Sequence, residues 1–160
     1  DAGYRSALIV VGDGAFRNEL EHLLNGYPVL FTGFLSGDEL STIYASSDVF
    51  VFPSTTDTFG NVVLEAQSSG IPVIVSDEGG PKELMVDGKT GLVIKAHSKT
   101  ALVDALTFFL RDKNNRAFMG SNARNFAETN GITAYEAYHT ILNTHAKIEE
   151  RCTTEDFVQV

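Results

Sequence analysis

The chain has 160 residues, 43% hydrophobic and 21% charged, which is typical of one folded domain with a hydrophobic core and excludes a largely disordered chain. Twelve basic and 21 acidic side chains give a net charge of −9, which argues against a surface that neutralises nucleic-acid phosphates. With no membrane-length apolar stretch, no signal-peptide pattern and a single cysteine, Cys152, we expect a cytoplasmic protein that could contact a membrane only through segments outside this chain.

Strand and helix patterns alternate along the sequence. Apolar runs rich in β-branched and aromatic residues predict buried strands at 7–11, 28–31, 49–52, 71–75 and 92–94. Apolar residues at helical spacing predict helices around 16–24 and at 38–45, 61–69, 81–86, 99–111, 116–129 and 134–150. This alternation predicts an α/β domain over residues 1–150, a Rossmann-like doubly wound parallel sheet with helices on both faces, followed by a tail at 151–160.

The loops after the strands are the candidate sites, because such sheets bind ligands beyond the carboxyl ends of their strands. The loop at 12–17 begins like the glycine fingerprint of dinucleotide-binding folds, but Arg17 stands at the third glycine position. NAD binding is therefore disfavoured. The competing interpretation is a plain strand-to-helix turn in which Asp13 could cap the helix.

The strongest local signal lies in the segment 53–72. Asp57 and Glu65 are its only charged residues, one in the loop before a predicted helix and one inside that helix. A carboxylate among apolar residues needs water or hydrogen-bond donors, and the hydroxyls of a ribose are suitable donors. The alternative is structural: Asp57 or Thr58 caps the helix, and Glu65 lies on a solvated face.

The start of the same helix is a candidate anion site. Free backbone amides and the positive end of the helix dipole would attract a phosphate or a sugar oxygen to residues Phe59, Gly60 and Asn61. Glycine at position 60 would let such a ligand approach the backbone closely.

The segment 53–72 resembles the retaining glycosyltransferases of the GT-B fold, in particular the large group-1 family, family 4. The C-terminal domain of that family carries a Glu-x7-Glu motif, and Asp57 and Glu65 have the required spacing, with Asp in place of the first Glu. Further similar blocks follow the family's order, at 10–14, 31–35, 45–54, 76–83 and 87–93. The resemblance implies a C-terminal, donor-binding domain whose first strand and helix would precede residue 1.

The resemblance also implies roles for individual residues. Glu65 would bind the ribose hydroxyls of a nucleotide-sugar donor, and Asp57, one methylene shorter than the family's Glu, would help to hold the transferred sugar, directly or through a water. The sugar and the distal phosphate would contact the backbone at Phe59, Gly60 and Asn61. The base would be lined by Gly33, Phe34 and Leu35. Gly12 and Asp13 would border the same cleft. For Phe34, ordinary packing is an equal alternative.

The implied reaction transfers a sugar from a UDP- or GDP-linked donor to an acceptor hydroxyl. It proceeds with retention of configuration at the anomeric carbon and with no metal or other cofactor. The implied partner of this chain is an N-terminal acceptor-binding domain of the same parent protein. The family's Arg and Lys that neutralise the leaving diphosphate would precede residue 1, so we expect the isolated chain to be inactive. Two alternatives remain: a nucleotide-sugar epimerase on the same fold, and a non-catalytic nucleotide-binding or interaction module.

Overall fold

The computed structural model describes residues 6–131, in which strands and helices alternate as predicted. The strands are β1 (Leu8–Val11), β2 (Val29–Gly33), β3 (Phe50–Phe52), β4 (Val73–Ser76) and β5 (Gly91–Ile94). The α-helices are α1 (Arg17–Leu23), α2 (Gly37–Ala45), α3 (Asn61–Ser68), α4 (Lys99–Arg111) and α5 (Lys113–Phe126). A 3-10 helix at Pro81–Leu84 and a π-helical turn at Ala127–Gly131 complete the described elements. The predicted helix 134–150 and tail 151–160, with Cys152, lie outside these residues.

All strand pairs are parallel, which confirms the predicted Rossmann-like α/β architecture. β1 pairs with β2, and β3, β4 and β5 form a second sheet in that order. In the second sheet Val51 lies beside Ile74, and Ile74 lies beside Leu92. Within residues 6–131 no ladder connects β1 to β3, so the predicted single sheet is divided into two.

The second sheet carries helices on both faces, as predicted. Val73 and Val75 of β4 pack on one side against α2 and α3, whereas Ile74 packs on the other side against α4 and α5. This alternation follows from the two-residue period of a strand. All four residues of β4 are buried, which confirms the prediction of a buried strand in this segment. None of the helices formed by residues 6–131 combines the length and apolarity needed to cross a bilayer.

The prediction that the first strand is buried on both faces is wrong. Leu8 and Val11 of β1 are 46% and 40% exposed, and Leu30 of the paired strand β2 is 54% exposed. The physical reason is that, among residues 6–131, β1 has a hydrogen-bonded neighbour on one edge only, and a two-stranded sheet offers little surface to cover its side chains.

Capping and turn contacts explain where the helix boundaries differ from prediction. The helix predicted from 116 begins at Lys113. The reason is that the carboxylate of Asp112 accepts hydrogen bonds from the amides of Asn114, at 2.9 Å, and Asn115, at 3.0 Å. The helix predicted at 81–86 is a 3-10 helix that ends at Leu84. There Val86 donates its amide to Thr90 Oγ1 at 2.9 Å, which draws the chain into a turn. Helix α4 matches its predicted range.

Candidate functional site

The loops after β3 and β4 are packed together backbone to backbone. The amide of Gly80 donates to the carbonyl oxygen of Asp57 at 3.0 Å, and a Cβ at Gly80 would collide with the carbonyl group of Thr58. The hydroxyl of Ser76 also donates to the carbonyl oxygen of Ser54 at 2.6 Å. The path of the loop that carries Asp57 is therefore fixed by close contact with the loop after β4.

Asp57 takes part in this loop through its own side chain. Its Oδ1 accepts a hydrogen bond from the Phe59 amide at 2.9 Å, and its amide donates to Ser54 Oγ at 3.2 Å. Its side chain is half-buried. The expectation of a free amide at Phe59 is therefore wrong, because the short Asp side chain reaches that amide two residues ahead.

The N-terminus of α3 has no side-chain cap. Its N-cap residue is Gly60, with φ of 80° and ψ of 44°, and no side chain of residues 6–131 accepts a capping hydrogen bond there. The alternative in which Asp57 or Thr58 caps this helix is therefore wrong. A Cβ at Gly60 would lie 2.9 Å from Pro81 Cγ, so both the backbone angle and the packing require glycine. Asn61, the first helical residue, is exposed.

Glu65 lies on α3 with an exposed side chain, and it also meets a donor. The hydroxyl of Tyr44, at the end of α2, donates to Glu65 Oε2 at 3.1 Å. Tyr44 itself is only 8% exposed, and its burial, together with the nearby Glu65 carboxylate, raises the pKa of the Tyr44 hydroxyl. Glu65 thus lies on a solvent-exposed face, as the structural alternative predicted, and its carboxylate also accepts a hydrogen bond.

Sequence reasoning missed Tyr44. Its helical spacing from Leu40 indicates a core-facing residue, which the structure confirms, since both belong to the cluster between α2, α3 and the second sheet. The contact with Glu65 spans 21 residues of sequence. A tyrosine on an apolar helix face was the available signal, because a buried tyrosine hydroxyl usually finds a hydrogen-bond partner.

The loops after β1 and β2 are also brought together, as predicted. The amide of Gly12 donates to the carbonyl oxygen of Gly33 at 2.7 Å, and both glycines have positive φ, 111° and 73°. Asp13 is exposed and accepts from the amide of Gly14 at 2.9 Å. It does not cap α1, whose N-cap residue is Phe16. Asp13 therefore stabilises the turn between strand and helix.

Arg17 occupies the space that a third glycine of a dinucleotide fingerprint would leave open. Its guanidinium bonds Glu21 at 2.8 Å, and this hydrogen bond raises the pKa of Arg17. The Nη1 atom lies 3.3 Å from the position that a Cβ of Gly33 would occupy. The fingerprint requires the helix to approach the strand closely at this position, and here the Arg17 side chain lies there instead. This agrees with the prediction that NAD binding is disfavoured.

The segment predicted to line a base is divided between buried backbone and exposed side chain. Gly33 is buried and Leu35 is half-buried, whereas Phe34 is 83% exposed. Ordinary packing is therefore the wrong interpretation of Phe34 in the described part of the chain. Its exposed ring leaves an apolar surface beside the Gly12–Gly33 contact.

The candidate residues thus fall into two groups, one after β1 and β2 and one around α3. Helix α2 connects the groups, because it follows Leu35 in the chain and its Tyr44 bonds Glu65. Residues 6–131 contain no group of three or more His, Cys, Asp or Glu side chains placed to hold a metal ion.

The chain is similar in sequence and in fold to known glycosyl transferases. The sequence pattern of the family described as "Glycosyl transferases group 1" matches residues 3–126. A sulfoquinovosyl transferase of Arabidopsis thaliana is 44% identical over 121 residues, 74% of this chain and 24% of that protein. A GDP-mannose-dependent alpha-mannosyltransferase of Mycolicibacterium smegmatis is 41% identical over 107 residues, 66% of this chain and 28% of that protein. The structure of Anabaena Alr3699/HepE in complex with UDP-glucose superposes with a TM-score of 0.74 at 25% identity, over 86% of this chain and 41% of that chain.

The fold is the Rossmann-like α/β fold of GT-B glycosyltransferases. The chain belongs to the group 1 family of glycosyl transferases. It spans about a quarter of the length of the two curated relatives described, at 24% and 28%.

Proposed function

We propose that this chain is the donor-binding domain of a retaining glycosyltransferase of family 4. In this proposal a nucleotide diphosphate sugar, UDP- or GDP-linked, binds beside α3, and its sugar is transferred to an acceptor hydroxyl. The names of the relatives support a nucleotide-sugar donor, because one uses GDP-mannose and a solved structure holds UDP-glucose.

Glu65 is the observation that carries the proposal. It is an exposed carboxylate on a helix that is otherwise uncharged, and within residues 6–131 no Lys or Arg forms an ion pair with it. An ionised carboxylate only accepts hydrogen bonds, and the two hydroxyls of a ribose are donors that match it. We assign Glu65 to the ribose and Asp57 to the transferred sugar.

The backbone supplies the remaining contacts in this proposal. The uncapped N-terminus of α3 at Gly60 and Asn61 faces the sugar and the distal phosphate, and Gly33, Phe34 and Leu35 line the base. Both carboxylates orient the donor rather than exchange protons with it, so their contribution is positioning. Cationic side chains and helix-end amides stabilise the leaving diphosphate, and no metal or other cofactor takes part.

The acceptor side of the reaction belongs to another part of the protein in this proposal. An N-terminal domain of the parent binds the acceptor, and the 160-residue chain alone has no transferase activity. The proposed location is the cytoplasm. Turnover of a UDP- or GDP-sugar by the isolated chain would contradict the assignment of essential groups to other parts of the parent.

The test measures nucleotide affinity in the full-length parent protein. Isothermal titration calorimetry with UDP, GDP and ADP should show binding with preference for one base. Glu65→Ala should weaken that binding about 10- to 100-fold, because hydrogen bonds to charged groups contribute roughly 1.5–3 kcal/mol. Glu19→Ala, which removes an exposed glutamate from α1, is the matched control and should bind like the wild type. Equal affinities of the Glu65→Ala variant and the wild type would refute the ribose role.

A further inference from the structure

Tyr44 has a fixed side chain in the core between α2, α3 and the second sheet. Its ring packs in the same cluster as Val63 and Val73. It meets Phe50 edge to face, with centroids 5.6 Å apart and planes at 65°, and Phe50 in turn stacks on Phe52 at 6.0 Å. These contacts come from three different elements, so the direction in which the phenol hydroxyl points is determined by packing.

That hydroxyl is directed at one carboxylate oxygen of Glu65, the residue that we propose binds the ribose. It lies 3.1 Å from Glu65 Oε2, and because an ionised carboxylate has no proton to give, Tyr44 is the donor. Burial and the neighbouring negative charge both hold the pKa of the Tyr44 hydroxyl above its usual value, so it remains a protonated donor at neutral pH.

Glu65 needs such a contact if it is to bind with a defined geometry. A glutamate on an exposed helix face has several rotamers, and restricting it to one of them on binding has an entropic cost. A hydrogen bond already present in the free protein removes part of that cost, and it leaves Oε1 and the remaining lone pair of Oε2 for a ligand.

We propose that Tyr44 is a positioning residue that orients the Glu65 carboxylate toward the ribose hydroxyls of the donor. This inference rests on the proposed function, since it assumes that Glu65 contacts the ribose. It makes Tyr44 a determinant of the preference for ribose over deoxyribose, because a misdirected carboxylate no longer reads the 2′-hydroxyl.

The experiment compares UDP with 2′-deoxy-UDP, and GDP with 2′-deoxy-GDP, by calorimetry on the full-length parent. The wild type should bind the ribonucleotide of its preferred base at least about tenfold more tightly than the deoxy form. Tyr44→Phe keeps the packed ring and removes only the hydroxyl. It should lower the ratio of the two affinities, ribonucleotide to deoxy form, about three- to tenfold. Tyr27→Phe is the matched control, since Tyr27 is 69% exposed, and it should leave the ratio unchanged.

The ratio separates positioning from general damage to the fold. A merely structural effect of Tyr44→Phe would weaken both nucleotides equally, and an unchanged ratio would overturn the inference. In the Glu65→Ala background, Tyr44→Phe should have no further effect on the ratio, because the group that it orients is gone. A ratio that Glu65→Ala leaves intact would refute the ribose role of Glu65 itself. Loss of the ratio in Glu65→Ala but not in Tyr44→Phe would refute only the role of Tyr44.

Discussion

The Asp57 carboxylate and the Phe59 backbone amide are joined by a hydrogen bond of 2.9 Å, from the amide nitrogen to Oδ1. This is a turn that Asp and Asn form readily, because their short side chains reach the amide two residues ahead. A glutamate carries one more methylene and closes a larger ring. Position 57, which resembles the first position of the Glu-x7-Glu motif, thus has a local structural reason to be Asp in this chain.

Substitutions at Asp57 should separate its turn contact from its charge. Asp57→Ala removes the acceptor for the Phe59 amide and should lower the free energy of unfolding by about 0.5–1.5 kcal/mol. Asp57→Asn keeps an acceptor oxygen and should be nearly as stable as the wild type. If the charge holds the transferred sugar, both variants should transfer sugar about tenfold or more slowly in the full-length parent. Urea unfolding and initial rates measure the two effects. Wild-type rates for Asp57→Asn would remove the carboxylate from sugar binding.

Gly80→Ala should disrupt the contact between the loops after β3 and β4. The φ of Gly80 is −80°, which alanine adopts easily, so the effect arises from the collision of the new Cβ with the carbonyl group of Thr58. Overpacking of this kind costs about 1–3 kcal/mol. If Asp57 holds the transferred sugar as proposed, donor affinity should fall as well, because Asp57 lies on the displaced loop.

Gly14→Ala is the control for this substitution. A Cβ at Gly14 would meet nothing within 4 Å, and Gly14 has no positive φ. Its unfolding midpoint should stay close to that of the wild type, whereas Gly80→Ala should unfold at lower urea concentration. Equal midpoints for the two variants would mean that the loops separate without cost.

The predictable part of the fold rests on short-range patterns. The buried strand β4 was predicted because three of its four residues, Val73, Ile74 and Val75, belong to an apolar run, as a strand covered on both faces requires. Helix α4 was predicted to the residue from its apolar spacing, and in the structure Ser98 caps its start by accepting a hydrogen bond from the Ala101 amide at 3.2 Å. The Asp57 and Glu65 pair was recognisable because its spacing lies within one segment of the chain.

The parts that could not be predicted depend on contacts between distant segments. The exposure of Leu8 depends on which strands pair with β1, and no local pattern contains that information. Tyr44 and Glu65 are 21 residues apart, on two helices whose relative placement is set by the sheet beneath them. The Asp112 cap was missed although its signal is local, because the apolar spacing of α5 becomes clear only after its first turn.

The Asp77 carboxylate should make stability depend on acid pH. Its Oδ1 accepts from the Ala96 amide at 2.7 Å and its Oδ2 lies 3.2 Å from Lys95 Nζ. These contacts, the amide first, hold the pKa of Asp77 below its usual value of about 4. A lower pKa in the folded state means that the unfolded chain binds the proton more tightly. The stabilisation is therefore present above pH of about 4 and is lost as pH falls through the folded pKa.

Asp77→Asn tests this linkage. The wild type should be more stable than the variant at neutral pH, and the difference should shrink as the pH is lowered from about 6 to below 4. Asp104→Asn, at an exposed position of α4, is the control and should show no comparable change. Urea unfolding at several pH values gives the difference. A constant difference across this range would show that the Asp77 contacts do not favour the ionised form.

Gln67 should reveal the cost of an unpaired polar atom in the core. It is completely buried on α3, its Nε2 donates to the Leu84 carbonyl oxygen at 2.7 Å, and within residues 6–131 no group donates to its Oε1. Gln67→Ala leaves a cavity and deprives Leu84 of its donor, so we expect a loss of about 2–4 kcal/mol. Gln67→Met loses the same donor but fills the volume and removes the unpaired oxygen, so its loss should be at least about 1 kcal/mol smaller. Ser68→Ala, at the exposed neighbouring position, should change stability by less than about 0.5 kcal/mol. If Gln67→Met destabilises the protein as much as Gln67→Ala does, a water must satisfy Oε1 in the folded state.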